Sequence, residues 1–445
     1  MNTAGSIKDR EPAQAGHVPE DGFAEKTMLG MTGFAFSTAA TLVAAFSPLL
    51  ATEATSTPVM HGATHGVMFL CMAFFYFAVA RFIKGRDALV CNRAAQTAFF
   101  ALQALLPAAV LLEKAAGVTL PPFAIMLLWA AFGVASAYFS CAWTNAQSVI
   151  GEERIRKANL WSFCIAGCMA TGVLAMPPLT GTVALLVLCA AAFALMTQAP
   201  RRPFEEMDER DEQWFEQNSR YSANGSYIML VDGIMIGVIA GLLVARISKD
   251  VLPVPVMGLE FIGVACIFFL FDKKAPRLLD SGRSQLVLLP VLVCGLIAAG
   301  FLDAPWNTVS ALPLFAFLYL FDYTNSSVLS LRGSLLSISP CYCFSKGRVF
   351  MVFGQAAGWF VGGLIASDFA HGALPVVCVF LIVLLCVYIT VATVKPDKYP
   401  IVVEGASEEQ AADSNMAPPP RRANHRAPVQ AKVRKGHHGL RPHPA

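Results

Sequence analysis

Charge is scarce in this chain. Only 14% of its 445 residues are Asp, Glu, Lys or Arg, against about 25% in an average soluble domain. With 56% of the residues hydrophobic, there is too little polar surface to keep such a core in water, which excludes a water-soluble globule. Patterns that carry chemistry are missing as well. The chain has no Gly-rich phosphate loop, no metal-spaced His set and no nucleophile beside a plausible base, so neither enzymatic turnover, a cofactor nor a resident metal is expected. A disulfide framework is not expected either. The twelve cysteines fall in apolar runs or basic flanks rather than in the opposite connections, and they read as small apolar packing residues. Cys341 and Cys343, the one close pair, lack the further ligands that structural zinc needs. Finally, 27 residues of mixed charge precede the first apolar run, which argues against a cleavable leader.

Apolar runs fill the chain instead. A helix rising about 1.5 Å per residue needs about 20 apolar residues to cross some 30 Å of hydrocarbon. Twelve runs have about that length, at 28–50, 62–80, 94–112, 121–144, 158–176, 179–197, 226–246, 254–271, 285–303, 307–327, 349–367 and 373–394. They predict an all-α membrane protein with twelve transmembrane helices in two six-helix halves, 28–197 and 226–394, embedded in a lipid bilayer. An N-terminal segment (1–27), a charged linker (198–225) and a basic tail (395–445) complete the expected organisation.

Basic residues near helix ends hold a connection in the cytoplasm. The connections after the even-numbered runs carry eighteen Lys and Arg: Arg81, Lys84, Arg86 and Arg93; Arg154, Arg156 and Lys157; Arg201, Arg202, Arg210 and Arg220; Lys273, Lys274, Arg277 and Arg283; and Arg332, Lys346 and Arg348. The opposite connections carry Lys114, Arg246 and Lys249. Both termini are therefore expected in the cytoplasm. One missed or surplus helix would scramble this alternation, so it also supports the count of twelve.

The tail is compositionally distinct. After an acidic, Ala-rich stretch at 403–413, residues 417–445 hold Pro418, Pro419 and Pro420, seven Lys or Arg, four His and no acid. Such a segment cannot bury enough apolar surface to fold. It either lies on the anionic leaflet, at about 1 kcal/mol per basic residue, or stays solvated and reinforces topology. It lacks the apolar periodicity of a helix-turn-helix, so direct nucleic-acid binding is not expected.

Six runs, the linker RRPFEEMDERDEQWFEQNSR and six more runs resemble the major facilitator superfamily over 28–394. The second-to-third connection, ARFIKGRDALVCNRA, keeps the basic residues of that family's loop pattern without its Gly and Asp framework. The connection after the eighth run, FLFDKKAPRLLDSGR, keeps Asp272 and basic residues. A faint internal repeat relates GEERIRKANLWSFCIAGCMATG at the fifth run to SKGRVFMVFGQAAGWFVGG at the eleventh. In both, basic residues precede small ones (Gly167, Thr171, Gly172; Gly354, Gly358, Gly362, Gly363), a spacing that lets helix backbones approach closely in lipid. The FSKGR segment is also similar to the membrane portion of actinobacterial LuxR-type regulators, whose bundle precedes a DNA-binding domain. Two functions are implied, both in a bacterial cytoplasmic membrane. One is a secondary transporter of an unidentified small solute, driven by its gradient or by protons. The other is a non-transporting membrane sensor.

Acids inside membrane helices cost about 2.5–3.5 kcal/mol on insertion scales, so each invites a reason. Asp232, Glu260 and Asp322 fall within the seventh, eighth and tenth runs. The resemblance implies that the first, fourth, seventh and tenth helices line a central cavity, which would bring Asp232 and Asp322 to it and leave Glu260 structural. The two Asp are then substrate or proton groups, or they form a gate with Arg332, Lys346 or Arg348. Thr38, Trp129, Tyr138 and Asn145 are the polar and aromatic cavity candidates of the first half; packing against neighbouring helices is the competing role for each. No Lys or Arg falls deep within a predicted run, so the expected solute is cationic, zwitterionic or apolar.

Overall fold

Eight long helices carry the described part of the chain: α1 (Glu20–Phe46), α2 (Pro58–Ala78), α3 (Arg93–Ala116), α4 (Pro122–Gln147), α5 (Glu152–Leu174), α6 (Pro178–Gln198), α7 (Ser226–Ser248) and α8 (Pro340–Ala366). The computed structural model describes residues 20–46, 48–83, 88–148, 152–199, 226–248 and 339–367, plus scattered helical positions between 262 and 329 and between 378 and 382. All lie within the compact unit Met1–Glu404. The linker after 199, the tail, Glu260 and Arg332 lie outside the described residues.

Local chemistry sets the helix ends. Pro58, Pro122, Pro178 and Pro340 each open a helix, where the missing N–H would have had no partner anyway. The Asn92 side chain accepts hydrogen bonds from the Ala94 and Ala95 amides at 2.8 and 3.4 Å and caps α3. That helix stops at Gly117, whose φ of 66° lies in the left-handed region that glycine adopts without cost. Among the described residues six stretches are long and apolar enough to span a bilayer: Met28–Phe46, Pro58–Phe82, Arg93–Ala116, Pro122–Gln147, Pro178–Gln198 and Pro340–Ala366. The chain is a multi-pass membrane protein.

In the first half, α1 packs against α5, α6 and α4, while α3 lies against α4 and α6. The eleventh apolar run, α8, ties this group to α7 by packing most extensively on α7 and also on α2 and α4. Glycines make the α7–α8 contact close. A Cβ placed on Gly237 would lie 2.4 Å from the Gln355 carbonyl oxygen, and one on Gly358 would lie 2.3 Å from that of Ile234. The stripe Gly354, Gly358, Gly362 therefore meets a second stripe, Gly233, Gly237, Gly241.

The widest departures from the sequence expectation are at α8, α5 and α1. α8 begins at Pro340 rather than 349, because the Ser339 side chain accepts the Tyr342 amide at 3.2 Å and caps it there. Cys341, Tyr342, Cys343 and Phe344 are buried on its first turns, so this segment is helix and not a connection. α5 starts at Glu152 instead of 158. α1 runs from Glu20 to Phe46 and is followed by a 3-10 turn at Pro48–Leu50, where the proline ends the α-helix short of the expected residue 50. Replacing the cap of α8, Ser339→Ala, is expected to cost about 1 kcal/mol. A lowered thermal midpoint of the detergent-purified protein would register it.

Candidate central cavity

α1, α2, α4, α7 and α8, with Leu318, Asp322 and Ser326, line a cavity of about 140 Å³. Its apolar wall is aromatic, with Phe34 and Phe46 from α1, Phe69 from α2, and Phe344 and Trp359 from α8. Thr38, Tyr76, Ser140 and Gln355 supply polar groups. The Ser140 hydroxyl donates to the Ser136 carbonyl at 2.9 Å.

Among the described residues one ion pair lies in this wall. Arg348 Nη1 is 2.6 Å from Asp322 Oδ1. Its Nη2 donates to Ser326 Oγ, and the guanidinium sits over the Phe344 ring with its carbon 5.1 Å from the centroid. Three partners thus fix the cation. The two members differ in exposure: the Arg348 side chain is 10% exposed and that of Asp322 is 44% exposed. The arginine is the buried anchor, and the carboxylate presents its free edge to the cavity.

This corrects the expectation that no basic side chain lies deep within the helices. Arg348 sits about 12 Å along α8 from Pro340, because the helix starts earlier than the apolar run suggested. The argument that an anionic group would find no counter-charge falls with it. Lys346, two residues earlier, is half-buried on the same helix.

The remaining expected residues divide. Thr38 lines the cavity with Asp322 and Arg348. Asp232 is buried on α7 at 1% exposure and is not among this cavity's walls. Tyr138 is not in the wall either. It stacks on Phe99 with centroids 4.1 Å apart, and its hydroxyl donates to the Leu89 carbonyl at 3.3 Å. Trp129 packs on the ring of His65 at 4.5 Å, and Asn145 is fully buried near the end of α4. The sequence reading had missed Tyr76, Gln355, Trp359 and the buried His65. The signal for the last was present as His61 and His65, one turn apart at the start of the second apolar run. Among the described residues no group of three or more His, Cys, Asp or Glu is placed to hold a metal ion.

No family model and no curated protein sequence matches the chain. Solved structures do. The human organic anion transporter MFSD10 (TETRAN) superposes with a TM-score of 0.54 at 12% identity, over 82% of this chain and 99% of that one. A bacterial homologue of the iron transporter ferroportin, in an outward-facing state with soaked iron, superposes with a TM-score of 0.53 at 14% identity, over 84% and 99%. Likeness at such identities reports architecture alone, and it agrees with the all-α bundle. The chain is a membrane protein with the major facilitator fold.

Proposed function

We propose that the chain is a secondary carrier of a small zwitterionic solute, with Asp322 and Arg348 as the binding and gating pair. The observation that carries this reading is the ion pair in a cavity walled by α1, α2, α4, α7 and α8. Among the described residues the wall holds one positive and one negative side chain, Arg348 and Asp322, so a singly charged solute would compete with one partner and strand the other. A zwitterion offers a carboxylate to the guanidinium and an ammonium to the carboxylate, and replaces one ion pair with two. Without solute, the pair closes on itself. The halves 28–197 and 226–394 then rock about this point, with both termini in the cytoplasm of a bacterial cell and the basic tail on the anionic leaflet. Asp232, beside the close α7–α8 contact, serves packing in this scheme.

Thermal melts of the purified protein against a panel of zwitterionic amino acids, organic cations and carboxylates test it. A ligand present at 100 times its Kd adds about 2.7 kcal/mol to stability. Zwitterions are expected to raise the midpoint in the wild type and in Asp232→Asn but not in Asp322→Asn, after which uptake into proteoliposomes follows. Stabilisation that survives Asp322→Asn would remove the pair from the binding site. A panel with no hit would favour the non-transporting sensor.

A further inference from the structure

Arg348, Val352, Gln355 and Trp359 all line the cavity, and steps of four, three and four residues put them on one face of α8. At about 1.5 Å per residue, the backbones of Arg348 and Trp359 lie about 16 Å apart along the helix axis. The cavity is therefore a slot, and its two ends differ in chemistry. Arg348, Asp322 and Ser326 form the charged end, where the Tyr76 and Phe344 rings meet edge to face with centroids 5.8 Å apart.

The other end is aromatic. The Trp359 indole has Phe46 of α1 at 6.5 Å and Phe69 of α2 at 6.2 Å between centroids, and all three side chains belong to the cavity wall. α2 spans the slot in the opposite direction to α8, with Phe69 at the aromatic end and Tyr76 at the charged one. The His65 imidazole stacks on Trp359 with centroids 4.4 Å apart and planes 22° apart, so the indole is held in place. Among the described residues the charged side chains of the lining are Arg348 and Asp322, and the aromatic end has none. A solute that is only a charged head would satisfy the ion pair and leave water against these rings. A solute that also carries an aromatic group removes apolar surface from water on both sides and meets the rings face on or edge on.

We propose that Phe46, Phe69 and Trp359 form a subsite for an aromatic side group, so that the solute is an amphipathic zwitterion of the aromatic amino acid class rather than one the size of glycine or alanine. The zwitterionic head rests on the carrier reading above, whereas the aromatic subsite rests on the rings themselves.

The test uses the full chain in nanodiscs, with glycine, alanine, phenylalanine, tryptophan and indole as probes. Each is titrated, and the concentration that gives half of the maximal rise in melting midpoint is read. Phenylalanine and tryptophan are expected to act at about one-tenth of the alanine concentration or less, the ratio that burial of a ring-sized side chain gives. That ratio should collapse in Trp359→Ala and in Phe46→Leu, which keeps an apolar side chain and removes the ring. It compares two probes on one protein, so a general loss of stability does not move it. Equal responses to alanine and phenylalanine in the wild type, or a ratio that survives both substitutions, overturn the subsite. Should Trp359→Ala fail to fold, Phe46→Leu and the wild-type series decide. Indole, which has a ring and no charge, separates this inference from the carrier reading. If no zwitterion acts and indole raises the midpoint of the wild type but not of Phe46→Leu, the zwitterionic head fails and the subsite stands. If zwitterions act whatever their side chain and indole does not, the subsite fails and the ion pair keeps its ligand. Silence from all five probes overturns both.

Discussion

Gly354→Ala is expected to force α7 and α8 apart and to lower stability by about 3 kcal/mol, at or above the upper end for an overpacked core. A Cβ at this position would lie 2.1 Å from the Leu230 carbonyl oxygen, 2.7 Å from the Ile234 nitrogen and 2.9 Å from the Gly233 Cα. All three are backbone atoms, which cannot swing aside as a side chain does. The helices must separate, and the dispersion contacts along their whole seam weaken together. Lipid offers no hydrophobic force to reclose them. Gly172 on α5 provides the contrast: a Cβ there meets nothing within 4 Å, so Gly172→Ala should be neutral or add about 0.5–1 kcal/mol through helix propensity. Paired thermal melts in one detergent compare them. Equal midpoints for the two variants would mean that the α7–α8 seam does not hold the bundle together. Because α8 also carries Arg348, Gln355 and Trp359 into the cavity, Gly354→Ala should abolish solute stabilisation as well.

Much of this architecture was legible in the sequence because bilayer thickness is a one-dimensional ruler. The starts of α3, α4 and α6 fall within a residue or so of the apolar runs that announced them. The start of α8 did not, since PCYCFSKGR reads as a basic connection. What places it is a capping serine followed by proline, and two turns whose face is buried by neighbouring helices. That misplaced boundary left Arg348, although named as a gate partner of Asp322, outside the run that carries it into the cavity wall. The glycine stripe on the eleventh run was visible, but its partner stripe on α7 emerges only once the two helices are side by side. Tyr138 shows the opposite limit. Its amphipathic ring suits a cavity wall, but the fold spends it against Phe99 and the Leu89 carbonyl. His65 escaped notice because a search for membrane charges weighs Asp, Glu, Lys and Arg, and passes over a group whose charge depends on its neighbours.

Unequal exposure across the ion pair leads to an unequal response to mutation. Asp322→Asn leaves a guanidinium that is 10% exposed with Ser326 and Phe344 but no counter-charge. Removing one partner of a buried pair costs about 3–5 kcal/mol, and this variant should fall in that range. Arg348→Met leaves a carboxylate that is 44% exposed to the cavity, where water can solvate it, so the cost should be smaller, about 1–2 kcal/mol. The double variant Asp322→Leu with Arg348→Met removes both charges and is expected to regain most of the loss, since replacing a buried pair with apolar groups is often neutral. Thermal melts of the four proteins form a cycle that isolates the coupling between the two sites. If Arg348→Met proved the costlier single change, the carboxylate rather than the arginine would be the buried anchor, and the binding scheme built on its open edge would fail. All three variants should lose stabilisation by zwitterions, which separates the pair's part in solute capture from its part in holding the fold. A double variant that regained stability without regaining ligand response would show that the charges stay in the bundle for the solute's sake.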